Sequence, residues 1–117
     1  GEQTRSFMYI DDCVKGIELI THCDELVATP INLGSSELVS INTLVSKVEK
    51  IAGKKLKRSY NLNAPQGVAG RNSDNTFIKQ VLGWEPNTPL DKGLAITYKW
   101  IHGQYQARKA GKRVGVG

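Results

Sequence analysis

Two short stretches combine residue types that bind anions. Gln3, Thr4 and Arg5 are three consecutive hydrogen-bonding side chains ahead of apolar Phe7, able to line the lip of a polar ligand site. Further on, Gly67-Val68-Ala69-Gly70-Arg71-Asn72-Ser73-Asp74-Asn75 sets one arginine behind two glycines and ahead of helix-capping residue types. A guanidinium presents a rigid fork of donors matched to phosphate oxygens. A helix starting just beyond would add free N–H groups and the positive end of its dipole. That constellation suits a diphosphate. The same residues are also the makings of a plain helix cap beside a surface arginine, and Gln3 to Arg5 those of a solvated strand end.

Other chemistry finds less support. His22, Cys23 and Cys13 are three metal-ligand types without the paired spacing of a zinc site, and His102 has no nucleophile near it in sequence. Tyr105 and Lys109 have the spacing of a catalytic tyrosine–lysine pair. They sit in a terminal helix with no glycine-rich strand-turn-helix before it, which makes the spacing a coincidence. No Gly-x-Gly-x-x-Gly turn and no P-loop occurs anywhere, so no segment offers the usual cradle for a dinucleotide pyrophosphate. The expectation is a chain with no catalytic, metal or cofactor-binding residues of its own.

The totals agree with a binding domain. The chain has 117 residues, 39% hydrophobic and 23% charged, and a net charge of +5, which favours anionic ligands without naming one. Its basic stretches, Lys54 to Arg58 and Arg108 to Arg113, are not interleaved with aromatics as a nucleic-acid stacking platform would require, so nucleic acid is an unfavoured partner. No apolar run approaches the roughly 18 residues of a spanning helix, and the polar start GEQTRSF lacks signal-peptide features, pointing to a cytoplasmic location with no membrane. Cys13 and Cys23 lie ten residues apart in one expected helix, too far for an ordinary disulfide.

The elements that must position these residues follow from periodicity and punctuation. Arg5 to Ile10 reads as a short strand, and Asp11 and Asp12 then cap a helix to about Cys23 with Val14, Ile17 and Ile20 as its buried stripe. Ile31 to Leu33 reads as a strand end. Ser40 caps a second helix with Ile41, Leu44, Val45, Val48 and Ile51 at helical spacing, and Gly53 ends it. Lys55 to Leu62 reads as an edge strand. Ser73 or Asp74 caps a short helix to about Leu82, closed by Gly83. Thr88-Pro89-Leu90-Asp91 opens a last helix burying Leu90, Leu94, Ile101 and Tyr105. The sum is an α/β chain, close to α+β, with a small sheet and about four helices; residues 1–107 form the domain and 108–117 a basic flexible tail.

Four stretches taken together, QTRSFMYIDDCVKGI, INLGSSELVSINTLV, GVAGRNSDNTFIKQVLGWEP and LDKGLAITYKWI, resemble the C-terminal part of the extended short-chain dehydrogenase/reductase family of nucleotide-sugar epimerases and dehydratases. The resemblance runs from Gly1 to Gln104. The opening Arg5-x-Phe7 with Asp11-Asp12 and the turn Leu82-Gly83-Trp84-x-Pro86 are general to that family. QTRSF with GRNSDN points to its GDP-mannose 3,5-epimerase branch. The resemblance implies that Gln3, Thr4 and Arg5 contact a GDP-sugar such as GDP-mannose and that Arg71 contacts its diphosphate. It also implies that NAD and the catalytic residues belong to an upstream Rossmann domain, that Cys13 is not the family's catalytic cysteine, and that this chain alone is not catalytic. The strand near Ile31 to Leu33 would complete the sheet of that other domain. Apolar surface left uncovered here would then favour a homo-oligomer or a domain-swapped dimer.

Overall fold

The computed structural model describes residues 1–65 and 67–112. Three very short strands form one sheet in the order β2-β1-β3: β1 is Thr4–Ser6, β2 Leu38–Ser40 and β3 Gly70–Arg71. β1 pairs antiparallel with β2, Thr4 opposite Ser40 and Arg5 opposite Val39, and parallel with β3, Thr4 beside Gly70 and Arg5 beside Arg71. The mixed sheet with four helices agrees with the expected α/β class. Two strands expected from the sequence are absent. Ile31 to Leu33 and Lys55 to Leu62 run as irregular chain, and the strands flanking β1 are Leu38–Ser40 and the end of the glycine loop, Gly70–Arg71. Strands of two and three residues are too short to show the alternation by which strands are read.

The helices are α1 (Ile10–Thr21), α2 (Ile41–Ala52), α3 (Thr76–Leu82) and α4 (Leu90–Lys109). In α2 the expected punctuation holds: Ser40 Oγ accepts from Thr43 N at 3.0 Å and Gly53 closes the helix at φ 63°. Gly83 closes α3 in the same left-handed conformation at φ 59°. The start of α4 departs from the expected capping box. Thr88 turns its hydroxyl to Asp12 instead, and the helix is capped from a distance, Glu37 Oε2 accepting from Leu90 N at 2.9 Å. Asp91 is then free to take Lys47 of α2 in a two-oxygen ion pair at 2.7 and 2.8 Å. α4 runs on to Lys109, so part of the stretch expected as tail is helical; residues 113–117 lie outside the described residues.

Asp12 holds the fold's most connected buried carboxylate. It lies in the first turn of α1, where its charge complements the helix dipole, though the N-cap position itself is Tyr9 and not the expected aspartate. From there Oδ2 accepts from Asn87 N at 3.1 Å and Thr88 N at 2.8 Å, while Thr88 Oγ1 donates to Oδ1 at 3.0 Å. One turn later, buried Gly16 lets Leu33 and Trp84 close on the helix: a β-carbon there would lie 2.5 Å from Leu33 Cδ1 and 3.1 Å from Trp84 Cζ3. Gly16→Ala is therefore expected to cost about 1–3 kcal/mol through overpacking, read as an unchanged slope but lower midpoint in urea unfolding. A variant as stable as the wild type would show that Leu33 swings aside freely.

The remaining apolar pattern is turned outward. Val14 and Ile17, expected in the buried stripe of α1, are 57% and 54% exposed, and Ile101 and Tyr105 of α4 are 54% and 60% exposed. The large hydrophobic side chains buried among the described residues are Leu26, Ile78 and Leu90, of which Ile78 is fully enclosed. The chain exposes 9006 Å², against roughly 6,300 Å² for a compact monomer of this mass.

Candidate functional site

β1 and β3 bring the two sequence-predicted anion ligands together. Directly opposed residues of paired strands share a face, so Arg5 and Arg71 project on the same side of the sheet, with Gln3 just ahead of β1. Thr4 and Gly70 face the other way. Their approach needs glycine, because a β-carbon on Gly70 would sit 2.6 Å from Thr4 Oγ1. Arg5 is half-buried and steadied by Nη1 donating to Thr4 O at 2.6 Å. Arg71 is exposed. Two arginines in register on one face of the sheet give it positive charge suited to an anion with several oxygens.

The segment after Arg71 is strapped to the 34–36 turn. Ser73 N donates to Ser35 O at 3.2 Å and Asn75 Nδ2 to Gly34 O at 3.0 Å. Asn75 is buried, and its Oδ1 and Ser73 Oγ find no partner among the described residues. Between Arg71 and Gly34 lies a polar hollow of about 430 Å³ that Ser6, Asn32 and Ser73 also line.

The expected contribution of a helix N-terminus is not available. Asp74 Oδ1 accepts both from Thr76 N at 3.0 Å and from Thr76 Oγ1 at 2.7 Å, and the backbone donor holds its carboxyl below the usual carboxylate range. The start of α3 therefore already carries a negative charge. Arg71 works beside Arg5, not beside free helix N–H groups. The N-cap of α3 is Asn75 and not the expected Ser73 or Asp74, and it makes no side-chain cap bond; Asp74, one residue earlier, takes the Thr76 N–H, and the arginine is left to the surface.

On the other side of Gln3, the 54–65 segment lies over α2. Arg58 pairs with Glu49 at 2.7 Å and also donates from Nη2 to Ser46 Oγ at 2.9 Å. The Arg58 guanidinium, and after it the Leu56 N–H, hold the Glu49 carboxyl below the usual carboxylate range, and Glu49 in turn raises Arg58. Tyr60 donates its hydroxyl to Asn42 Oδ1 at 3.0 Å. Between segment and helix a cavity of about 490 Å³ opens, reaching Gln3 at one end. Nothing in the sequence pattern marked it, because its walls come from a segment that reads as a strand.

Cys13 and Cys23 are free thiols, and no group of three or more His, Cys, Asp or Glu among the described residues is placed to hold a metal ion. No described helix is long and apolar enough to cross a membrane.

No family model matches the chain. It is 47% identical over 110 residues to GDP-mannose 3,5-epimerase of Arabidopsis thaliana and 43% identical over 109 residues to GDP-mannose 3,5-epimerase 1 of Oryza sativa subsp. japonica. The match takes in 94% of the chain and 28% of the Arabidopsis protein, so the chain spans little more than a quarter of the length of these relatives. Among solved structures, UDP-glucuronic acid 4-epimerase from Bacillus cereus in complex with NAD superposes with a TM-score of 0.77 at 30% identity. That match covers 91% of the chain and 32% of the epimerase. UDP-glucose 4-epimerase of Thermotoga maritima with UDP-glucose gives 0.79 at 26% identity over 90% and 33%. The fold is that of a segment of the NAD-dependent epimerases and dehydratases of the extended short-chain dehydrogenase type.

Proposed function

We propose that this chain, homologous to one segment of the nucleotide-sugar epimerases, is the part that grips a GDP-sugar such as GDP-mannose. The observation that carries the proposal is the pairing of Arg5 with Arg71 in register on one face of the sheet. In this reading the two guanidiniums hold the diphosphate, and Gln3 and Thr4 order the adjoining groups. The two arginines belong to different strands, so each anion contact ties β1 to β3 and binding stabilises the sheet. The chain supplies binding and orientation. Hydride transfer and the NAD it needs belong to a separate glycine-rich turn that this sequence does not contain.

Titration of the chain with GDP-mannose by calorimetry, beside Arg71→Ala, tests the reading. Loss of one charge-assisted contact to phosphate, about 1.5–3 kcal/mol, predicts binding weaker by about 10- to 150-fold. Equal affinity of the two proteins would remove Arg71 from the site.

The outward-facing apolar stripe of α1 supports a second property, self-association into a homo-oligomer, including a domain-swapped one. A chain that exposes over 2,000 Å² more than a compact monomer of its mass has enough uncovered surface for a stable interface.

A further inference from the structure

The chain that follows α2 is fastened to that helix by side chains. Among the described residues, no backbone–backbone hydrogen bond ties residues 55–60 to another part of the chain; Lys54 N bonds Glu49 O within the α2 cap, and the next such bond, Ala64 N to Asn61 O, stays inside a turn. What holds the stretch down is chiefly one carboxylate. Glu49 Oε1 accepts from Leu56 N at 3.0 Å and Oε2 from Arg58 Nη2 at 2.7 Å. Arg58 adds bonds to Ser46 Oγ and Asn42 O, and Tyr60 reaches Asn42 Oδ1. The larger apolar side chains anchor it little: Leu56 is 66% and Tyr60 54% exposed. At either end the backbone turns at a glycine with positive φ, Gly53 at 63° and Gly67 at 67°, positions able to absorb a swing.

Two hollows meet at this stretch. One is the cavity of about 490 Å³, with Ile41 and Tyr60 in its wall. The other is a mainly apolar groove of about 230 Å³, with Leu44, Val48 and Ala52 of α2 in its wall. Val45, Glu49 and Leu56 line both and so form the partition between them. Val45 belongs to the helix, whereas the pairing of Glu49 with Leu56 is where the overlying chain is pinned.

We infer that residues 54–60 are a hinged strap, latched by the Glu49 carboxylate, whose release joins the two hollows into one apolar groove along α2. Both contacts of the latch end on one residue, so they break together. α2 does not depend on them: Ser40 and Gly53 close its ends, and Lys47 holds it to Asp91 of α4. The strap can therefore lift while the helix beneath it stays folded. Neither Arg5 nor Arg71 lines either hollow, so the latch works independently of the proposed anion grip.

Amide hydrogen exchange of the whole chain, followed by NMR through a series of urea concentrations below the unfolding transition, tests the strap. A local opening uncovers little surface and responds weakly to urea, whereas global unfolding responds with the full slope. In the wild type the Leu56 N–H is expected to exchange with little urea dependence, and the slowest amides of α2 with a steep one. Glu49→Gln, which removes the charge from both contacts, should speed Leu56 exchange by about tenfold or more. Asp12→Asn, which weakens the fold elsewhere, should leave it unchanged. In folded Glu49→Gln, binding of anilinonaphthalene sulfonate, a dye for uncovered apolar surface, should rise severalfold above wild type. A Leu56 amide that shares the urea slope of α2, or that ignores Glu49→Gln, would overturn the strap, and faster exchange without added dye binding would overturn the joined groove. If Glu49→Gln does not fold, the wild-type urea series and Asp12→Asn decide.

Discussion

Replacing Asp12 by alanine should lower folding stability by about 3–5 kcal/mol. The buried carboxylate accepts three hydrogen bonds from Asn87 and Thr88, two of them from backbone N–H groups. Their loss leaves the two Thr88 donors unpartnered in a half-buried position, while the Asn87 N–H is open to water. The damage extends beyond three bonds, since that turn decides where α4 begins. It delivers Leu90 N to Glu37 and Asp91 to Lys47, the two contacts that fasten α4 to the 35–37 turn and to α2. Asp12→Asn retains one acceptor oxygen and should lose about half as much. Urea unfolding of the three proteins measures the series, and hydrogen exchange at the Thr88 amide locates it. A loss under about 1 kcal/mol in the alanine variant would mean that water replaces the carboxylate at no cost.

The self-association proposed above predicts that Val14→Glu is a monomer. Ile10, Val14 and Ile17 recur at four- and three-residue spacing on α1 and are 61%, 57% and 54% exposed, an apolar stripe that water must cover. Beside it, Ile96 and Trp100 of α4 form an apolar hollow with Tyr9 and Ile10, extending the stripe across a second helix. A glutamate at its centre would have to be desolvated on association, which predicts a dissociation constant raised by about tenfold or more. Sedimentation velocity across about 1–100 µM chain compares the two. A wild type that stays monomeric over that range would assign the stripe to some other covering surface.

How far the sequence reaches depends on whether a residue's local partner is its real partner. α2 is legible because Ser40 caps its own helix and Gly53 ends it. The start of α4 is not, although Thr88-Pro89-Leu90-Asp91 is a good capping pattern: Asp12, 76 residues away, takes the threonine, and Glu37, 53 away, takes over the cap. α1 shows the opposite failure. Its stripe is correctly periodic, yet periodicity says that a face wants cover and not that this chain provides it. The strands at Leu38–Ser40 and Gly70–Arg71 hold two or three residues each, and only pairing with Thr4–Ser6 makes them strands. For the candidate site, the residue types Gln3, Thr4, Arg5 and Arg71 are visible in the sequence. Their juxtaposition is not, because it is the register of β1 on β3 that sets one arginine beside the other. Asp74 likewise reads as a cap, but only the structure shows its carboxylate occupying the helix end that an anion would otherwise use.

The pairing of β1 with β3 also sets an order of events. Thr4 and Ala69 bond across 65 positions of chain, so β3 can dock only after the intervening loop has closed. A refolding chain can therefore form α2 early, from local contacts alone, while the two arginines are still apart. The grip proposed for the two arginines would be held by a two-residue strand at the sheet's edge, an arrangement that opens readily when the fold breathes. On the proposed reading, phosphate affinity would report that this long-range strand pairing has formed.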